Sequence, residues 1–306
     1  MVTEFTVVGD ASLDVVVAQS VARCEGSDVP ATIRIGPGGQ GANVAVRLAR
    51  QGARARLIAP MADDAAGRLL RDALLADGVS LRPVPVPAST IVLVMLDESG
   101  ERTMISDRQT LNVDAVATEL EGATWTHCSG YPLLDDATGD RLAEILGSRS
   151  GSVRLSIAGG SVSPDPVRVA RLRQRIAASR PDVLLVSASE AEPLLGVRPT
   201  SGLASARSLG DLAPVVLVTS GAAGSAAIAD ETEIEVEAHH RAKPMVDATG
   251  AGDAFLAASL LELASGEWPP KAATLRRAME RGSLLGAQVA RVVGAQTWVA
   301  AEGAAG

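Results

Sequence analysis

The chain has 306 residues, 47% of them hydrophobic, and a formal net charge of −8. That acidic balance argues against a general nucleic-acid binder, and no apolar run reaches the ~18 residues a membrane helix needs. Cys24 and Cys128 are too few for a disulfide framework and lack metal-ligand spacing, so a reduced, cytoplasmic, globular protein is expected.

The first residues lack a basic n-region and read as a short strand, Phe5–Gly9, rather than a signal peptide. Leu13–Ala18 and Ala31–Ile35 are strand-like. A helix, Gly41–Gln51, follows, with Val44 and Leu48 at helical spacing. Strand Arg56–Ala59 and helix Ala65–Asp77 come next, the latter carrying Leu69, Leu70 and Leu74. The Pro-rich stretch Leu81–Pro87 reads as an extended crossing. Thr90–Leu96 and Arg102–Ser106 flank Asp97-Glu98-Ser99-Gly100, a hairpin turn. These two strands and the two early ones could form a small separate sheet.

Strands then alternate with helices: Trp125–Ser129, Asp136–Leu146, Val153–Ile157, Pro166–Ala178, Val183–Val186, Ser189–Leu195 and Val215–Thr219. That rhythm marks a parallel sheet in an α/β fold. Ser225–Ala229 and Glu233–Glu237 read as a hairpin at its edge. An apolar helical run, Ala254 to Ala264, follows.

Chemistry concentrates ahead of that last helix, in Val246-Asp247-Ala248-Thr249-Gly250-Ala251-Gly252-Asp253-Ala254-Phe255. Unpaired N–H groups at a helix start bind anions. A carboxylate in the same first turn would repel a phosphate unless its task is to take a proton while the N–H groups hold charge on a transferring phosphoryl group. The simpler alternative for Asp253, favourable placement on the helix dipole, leaves Gly250-Ala251-Gly252 unexplained. Upstream stands Gly36-Pro37-Gly38-Gly39-Gln40-Gly41-Ala42-Asn43. Gly36, Gly38 and Gly41 also fit G-x-G-x-x-G, with Asp63 downstream. The dinucleotide version directly follows the first strand, however, and does not account for Pro37 or Asn43.

Together these two motifs resemble the signatures of the ribokinase-like (PfkB) carbohydrate kinases, and the resemblance spans essentially the whole chain. It implies one ribokinase-like domain over 1–306. This is a three-layer α/β/α fold with a mostly parallel central sheet, plus a β-sheet lid from about 11–36 and 89–108. It implies an ATP- and Mg²⁺-dependent sugar kinase, with K⁺ as a further cation and a homodimer formed through the lid.

Residue by residue, the resemblance makes Asp253 the catalytic base and the N–H groups of Gly250, Ala251, Gly252 and Asp253 the anion hole. Asp14, Gly38, Gly39, Gln40 and Asn43 would bind the sugar. Gln40 stands where ribokinases proper carry Lys, which weakens ribose as the substrate. Ser187-Ala188-Ser189-Glu190 resembles the N-x-x-E element near magnesium and phosphate, with Ser187 in place of Asn. Glu190 would reach the metal through water, although Ser-x-x-Glu is also a capping box. Thr219, Gly221 and Gly224 match a nucleotide loop. Asp247, Thr249 and Gly294 match positions near a monovalent cation. A nucleoside or pseudouridine kinase of the same fold, or a non-catalytic sugar or nucleotide sensor, are the alternatives. Arg102 and Arg108 read as solvated lid charges, with recognition of an anionic substrate group as the sharper option.

Overall fold

The computed structural model describes residues 3–19, 26, 28–96, 102–120, 122–161, 164–239, 247–292 and 294–296. The turn expected at Asp97–Gly100 lies outside them. The chain opens with β1 (Glu4–Val8), β2 (Ser12–Gln19) and β3 (Ala31–Gly38), then α1 (Gln40–Arg50), β4 (Arg54–Met61), α2 (Ala65–Ala76) and β5 (Ser80–Pro85). Next come β6 (Ile91–Leu96), β7 (Arg102–Asp107), α3 (Val113–Glu119), β8 (Trp125–Cys128), α4 (Gly130–Leu134), α5 (Gly139–Gly147) and β9 (Arg154–Ala158). The remainder is α6 (Pro166–Ser179), β10 (Val183–Ser187), α7 (Ala188–Leu195), α8 (Gly202–Ser208), β11 (Val215–Thr219), β12 (Ser225–Ala229), β13 (Thr232–Val236), α9 (Ala251–Ser265) and α10 (Ala272–Val289).

Nine strands form one sheet in the order β13-β12-β11-β10-β9-β8-β1-β4-β5. All pairs are parallel except those of the β12–β13 edge hairpin. Successive strand residues point to opposite faces, and the core divides accordingly. Val7, Leu57, Leu185 and Leu217 pack with α1, α2, α9 and α10 on one face. Val8, Ile58, Leu184, Val186 and Val218 pack with α3 and α5 to α8 on the other. Both faces are buried, which is why these strands read as continuous apolar runs.

β3-β2-β6-β7 make a second, four-stranded sheet, the lid. Its register aligns Ile35, Val15, Leu93 and Ile105 in one row across the sheet. Asp14, Val92 and Val94 occupy the opposite face, where both valines are buried. Ile35 and Ile105 are 63% and 57% exposed, so the isoleucine row is the lid's outer face and Asp14 lies on the inner one.

Several sequence expectations need correction. Leu81–Pro87 is not a crossing: β5 pairs in parallel with β4, setting Pro83 opposite Ala59. As the outermost strand it tolerates prolines, which lack a ladder donor. The helix expected from Asp136 begins at Gly139 instead. Asp135 accepts from the N–H groups of Ala137 and Thr138, and this side-chain turn delays the helix. The third strand runs on through Gly36 and Pro37 to Gly38, which pairs with Ser12. Helices α3, α4, α8 and α10 were not anticipated; α10 carries Gly282 and Gly286, poor helix formers that pack against Phe255 and Ala251.

Candidate active site

The strands β1, β8, β10 and β11 deliver site residues at their carboxyl ends, the edge where parallel sheets bind ligands. Beyond β1, Gly9 lies so close to α1 that a Cβ on Gly41 would sit 2.7 Å from the Gly9 Cα. The next residue, Asp10, is buried; its Oδ1 accepts from the Gly41 N–H at 3.2 Å and from the Ser129 hydroxyl at 3.3 Å. Its Oδ2 meets Arg108 Nη1 at 2.7 Å. The Arg108 guanidinium also lies 3.6 Å from the centre of the Tyr131 ring. Arg108 is therefore no solvated lid charge. It joins the end of the lid to the core through an ion pair and a cation–π contact.

The glycine-rich motif is shaped by close approaches. Gly39 caps α1 at φ +96°, and a Cβ there would meet the Asp10 carbonyl oxygen at 2.7 Å. A Cβ on Gly38 would lie 2.1 Å from Asp14 Oδ2. Asp14 accepts from the Ser12 hydroxyl at 2.6 Å. Burial, reinforced by Asp10, lifts its pKa to about 6 against the pull of Ser12 and Arg108. Gly38→Ala is expected to push Asp14 aside; where Asp14 meets an acceptor hydroxyl, as the resemblance implies, kcat/KM for that acceptor should fall by about 10–100-fold, the loss of one charge-assisted hydrogen bond. ATP binding, measured by calorimetry, stays unchanged. The amide oxygen of Gln40 accepts from the Gly130 N–H at 2.8 Å, tying α1 to α4.

Asp253 lies in the first turn of α9, after Gly250 in the left-handed region at φ +76°. A Cβ on Gly250 would strike Ala295 at 2.9 Å, whereas Gly252 faces open space. Asn43 Nδ2 donates to Asp253 Oδ2 at 2.7 Å, and Gln296 Nε2 donates to Asn43 Oδ1 at 3.0 Å. Desolvation is the main reason the Asp253 pKa rises to about 7; Asp10 and Glu190 add repulsion, while Asn43 and Arg47 oppose it. A carboxylate tuned this close to neutrality is a competent proton acceptor.

Arg47, on α1, is fully buried and donates to the Ala295 carbonyl. Arg50 grips Asp77 with two nitrogens and gives its third to the Gln296 carbonyl at 2.6 Å. Asp247 accepts from Thr249 through N–H and hydroxyl, and from the Gly294 N–H at 2.9 Å. The Gly294–Gln296 turn is thus fastened to both motif regions.

Beside α9 lies a cavity of about 350 Å³. Thr219, at the end of β11, and Gly221 and Gly224, in the loop joining β11 and β12, line it together with Ala251 and Gly252. Its far wall is α10, through Ser283, Gly286, Ala287 and Ala290. The expected nucleotide loop and two residues of the expected anion hole, Ala251 and Gly252, therefore line one cavity of ligand size, whereas Gly250 and Asp253 do not line it. Ser187 and Glu190 do not line it. They form a complete capping box on α7, with Glu190 Oε2 accepting from the Ser187 N–H at 2.7 Å and hydroxyl at 2.9 Å. Burial holds the Glu190 pKa above its usual range. Among the described residues no three His, Cys, Asp or Glu side chains cluster as a metal site.

A family model described as pfkB family carbohydrate kinase matches residues 2–301. The chain belongs to the pfkB family. Within it, this kinase is 30% identical over 279 residues to a fructokinase of Escherichia coli, covering 85% of this chain and 88% of that one. It is 29% identical to an aminoimidazole riboside kinase of Salmonella typhimurium, over 95% of this chain and 90% of that one. Its fold matches a ribokinase of Giardia lamblia with a TM-score of 0.80 at 17% identity, each chain 96% covered. Membership makes this pfkB protein an ATP-dependent phosphotransferase with a hydroxyl acceptor on a small sugar or nucleoside. No helix among the described residues is long and apolar enough to cross a membrane.

The motif reading missed Asp10, the partners of Arg108, the arginine pair on α1, Gln296 and the α10 wall. Asp10 carried a signal, since an acidic residue just past a strand's carboxyl end points at the ligand edge. The wall made by α10 and the residue after it carried another in its small residues, Ser283, Gly286, Ala287 and Ala290.

Proposed function

We propose that this pfkB kinase transfers the γ-phosphoryl group of ATP to a hydroxyl of a neutral sugar, with Asp253 as base. The observation that carries the reading is that Ala251 and Gly252 wall the cavity while Asp253, the next residue, has its pKa raised to about 7. The phosphates of ATP would lie against the Gly250–Asp253 N–H groups, with Thr219, Gly221 and Gly224 around the nucleotide. Asp253 takes the proton of the attacking hydroxyl, and the helix-start N–H groups hold the charge that develops on the phosphoryl oxygens. Asp14 accepts hydrogen bonds from the acceptor's other hydroxyls, beside Gly38 and Gly39, and the lid keeps water out. Asn43 is turned toward Asp253 and Gln40 toward Gly130, so both would act on the sugar end by shaping it.

Magnesium would suit this site as a hydrated ion carried by the phosphates; Glu190, which does not line the cavity but whose charge acts on Asp253, would be the carboxylate to meet it through water. When bound it neutralises phosphate charge. A monovalent cation is proposed beside the loops that Asp247 staples together, near Thr249 and Gly294; turnover with and without K⁺ checks it. The lid's Ile35–Ile105 face is proposed as a homodimer contact, which sedimentation equilibrium checks.

Neutrality of the acceptor follows from Arg108. Its charge is spent on Asp10, which leaves the carboxyls of Asp14 and Asp253 to set the character of this end of the site. Relatives named fructokinase make D-fructose the first candidate. The aminoimidazole riboside kinase, aligned over more of this chain than the fructokinase, makes a riboside the second. The test is ADP release with ATP, Mg²⁺ and K⁺ across neutral ketoses, aldoses, ribosides, sugar acids and sugar phosphates, with Asp253→Ala alongside. Turnover is expected with a neutral acceptor and lost in the variant. Preference for a sugar acid or sugar phosphate would overturn the neutral reading. ATP binding with no turnover on any acceptor would favour a sensor.

A further inference from the structure

The buried amide of Gln296 makes one side-chain hydrogen bond among the described residues, and that bond leads to the proposed base. Gln296 is 5% exposed, and its Oε1 has no partner among the described residues. A buried amide whose oxygen is unmet costs the fold stability, so its placement asks for a reason other than packing.

Asn43 supplies one. Its amide can face Asp253 in two ways. With Nδ2 toward the carboxylate it donates to an ionised acid. Rotated by half a turn, it would present Oδ1 instead, which only a protonated Asp253 could satisfy. The two orientations therefore favour opposite protonation states. Gln296 Nε2 occupies the far side of Asn43 and donates to Oδ1, which only the first orientation accepts. The turn that bears Gln296 is held in turn by Arg47 at the Ala295 carbonyl and Arg50 at the Gln296 carbonyl. Both arginines belong to α1, the helix that carries Asn43.

We propose that Gln296 is a positioning residue for the base: by donating to Asn43 it fixes the amide end that faces Asp253 and keeps the carboxylate ionised. The inference rests on Asp253 acting as the base. The other groups acting on that carboxylate are Asp10 beyond β1, Glu190 on α7, Tyr131 on α4 and Arg47 on α1. None of these sets the direction of the Asn43 amide.

The test reads Asp253 directly. Its carboxyl ¹³C shift is titrated in the protein without ligands and assigned by its absence in Asp253→Asn. In Gln296→Met, which removes the donor without adding charge, the midpoint is expected to rise by about one pH unit, roughly tenfold less ionised base below neutrality. Gln296→Glu keeps the shape of glutamine should the methionine variant misfold. It would draw Nδ2 of Asn43 to itself and raise the midpoint further. In an Asn43→Ala background, Gln296→Met should add nothing, the non-additivity of a shared path. An unmoved midpoint in Gln296→Met, or full additivity with Asn43→Ala, overturns the proposal. Kinetics give a second readout. The acid limb of kcat/KM should move with the titration and turnover should recover at high pH, whereas a uniform loss at every pH would mean Gln296 serves packing alone. Should Asp253→Asn turn over normally, the kinase mechanism fails, whatever the titration of Gln296→Met shows.

Discussion

Asp253→Asn is expected to cut turnover by about 10²–10⁴-fold while making the protein more stable at pH 8. The first effect is the loss of the proton acceptor. The second follows from proton linkage. Burial lifts the folded carboxyl from its usual 3.8 to about 7, so the folded state holds this proton more tightly than the unfolded chain does. Ionisation therefore opposes folding. Its cost begins as pH rises past the unfolded value near 4 and is complete above about 7. An asparagine keeps the shape and can still accept from Asn43, but carries no charge to desolvate. The gain should be on the order of 2–4 kcal/mol at pH 8 and shrink steadily toward pH 4. Thermal unfolding of both proteins at pH 5 and pH 8 measures it. Equal stability at both values would mean that Asp253 is not held as a strained, near-neutral acid. The wild-type enzyme should in parallel lose kcat/KM below about pH 7 with unit slope, as the base takes up its proton.

Arg47→Ala should have the largest effect on stability. The side chain is the largest among those fully buried, and desolvation, aided by Arg50, lowers its pKa to about 10. Truncation leaves a cavity, an unbonded Ala295 carbonyl, and an Asp253 stripped of an opposing charge. Losses of about 3–5 kcal/mol accompany the breaking of such buried charged contacts. A large fall in the urea midpoint is therefore expected. Arg47→Met fills most of the volume without the donor and should fall between alanine and wild type. If alanine leaves the midpoint near the wild-type value, α1 does not anchor the Gly294–Gln296 turn.

Much of the architecture was legible in sequence because parallel strands buried on both faces must be apolar throughout. Val183–Val186 and Val215–Thr219 are such runs, and each precedes a motif. The four-stranded sheet was legible from early strands that arrive before their helices. What escaped depended on distance in the chain. Nothing near Leu81–Pro87 says that Arg56–Ala59 will offer it an edge. Arg108 looked solvated because its partners, Asp10 and Tyr131, come from other elements. At the site, the glycines of both motifs announced themselves because backbone crowding there excludes a Cβ, as at Gly38 and Gly250. Gln296 did not. An amide near a turn has no local signature, and its meaning comes from Asn43, brought beside it only by the tertiary fold.

The lid's pairing has a kinetic consequence. β2 and β6 are partners in parallel, with Val16 opposite Val94, while β3, α1, β4, α2 and β5 lie between them in the chain. Closing so long a loop is entropically unfavourable until the intervening segment has compacted. The central β2–β6 ladder of the lid should therefore close only after the β1–β4–β5 half of the main sheet has formed, while β2–β3 and β6–β7 pair locally. Pulse-labelled hydrogen exchange during refolding should find the amides of Val7 and Leu57 protected before those of Val16 and Val94. A refolding molecule would then hold Asp10, just beyond β1, in place before the inner face of the lid closes over it.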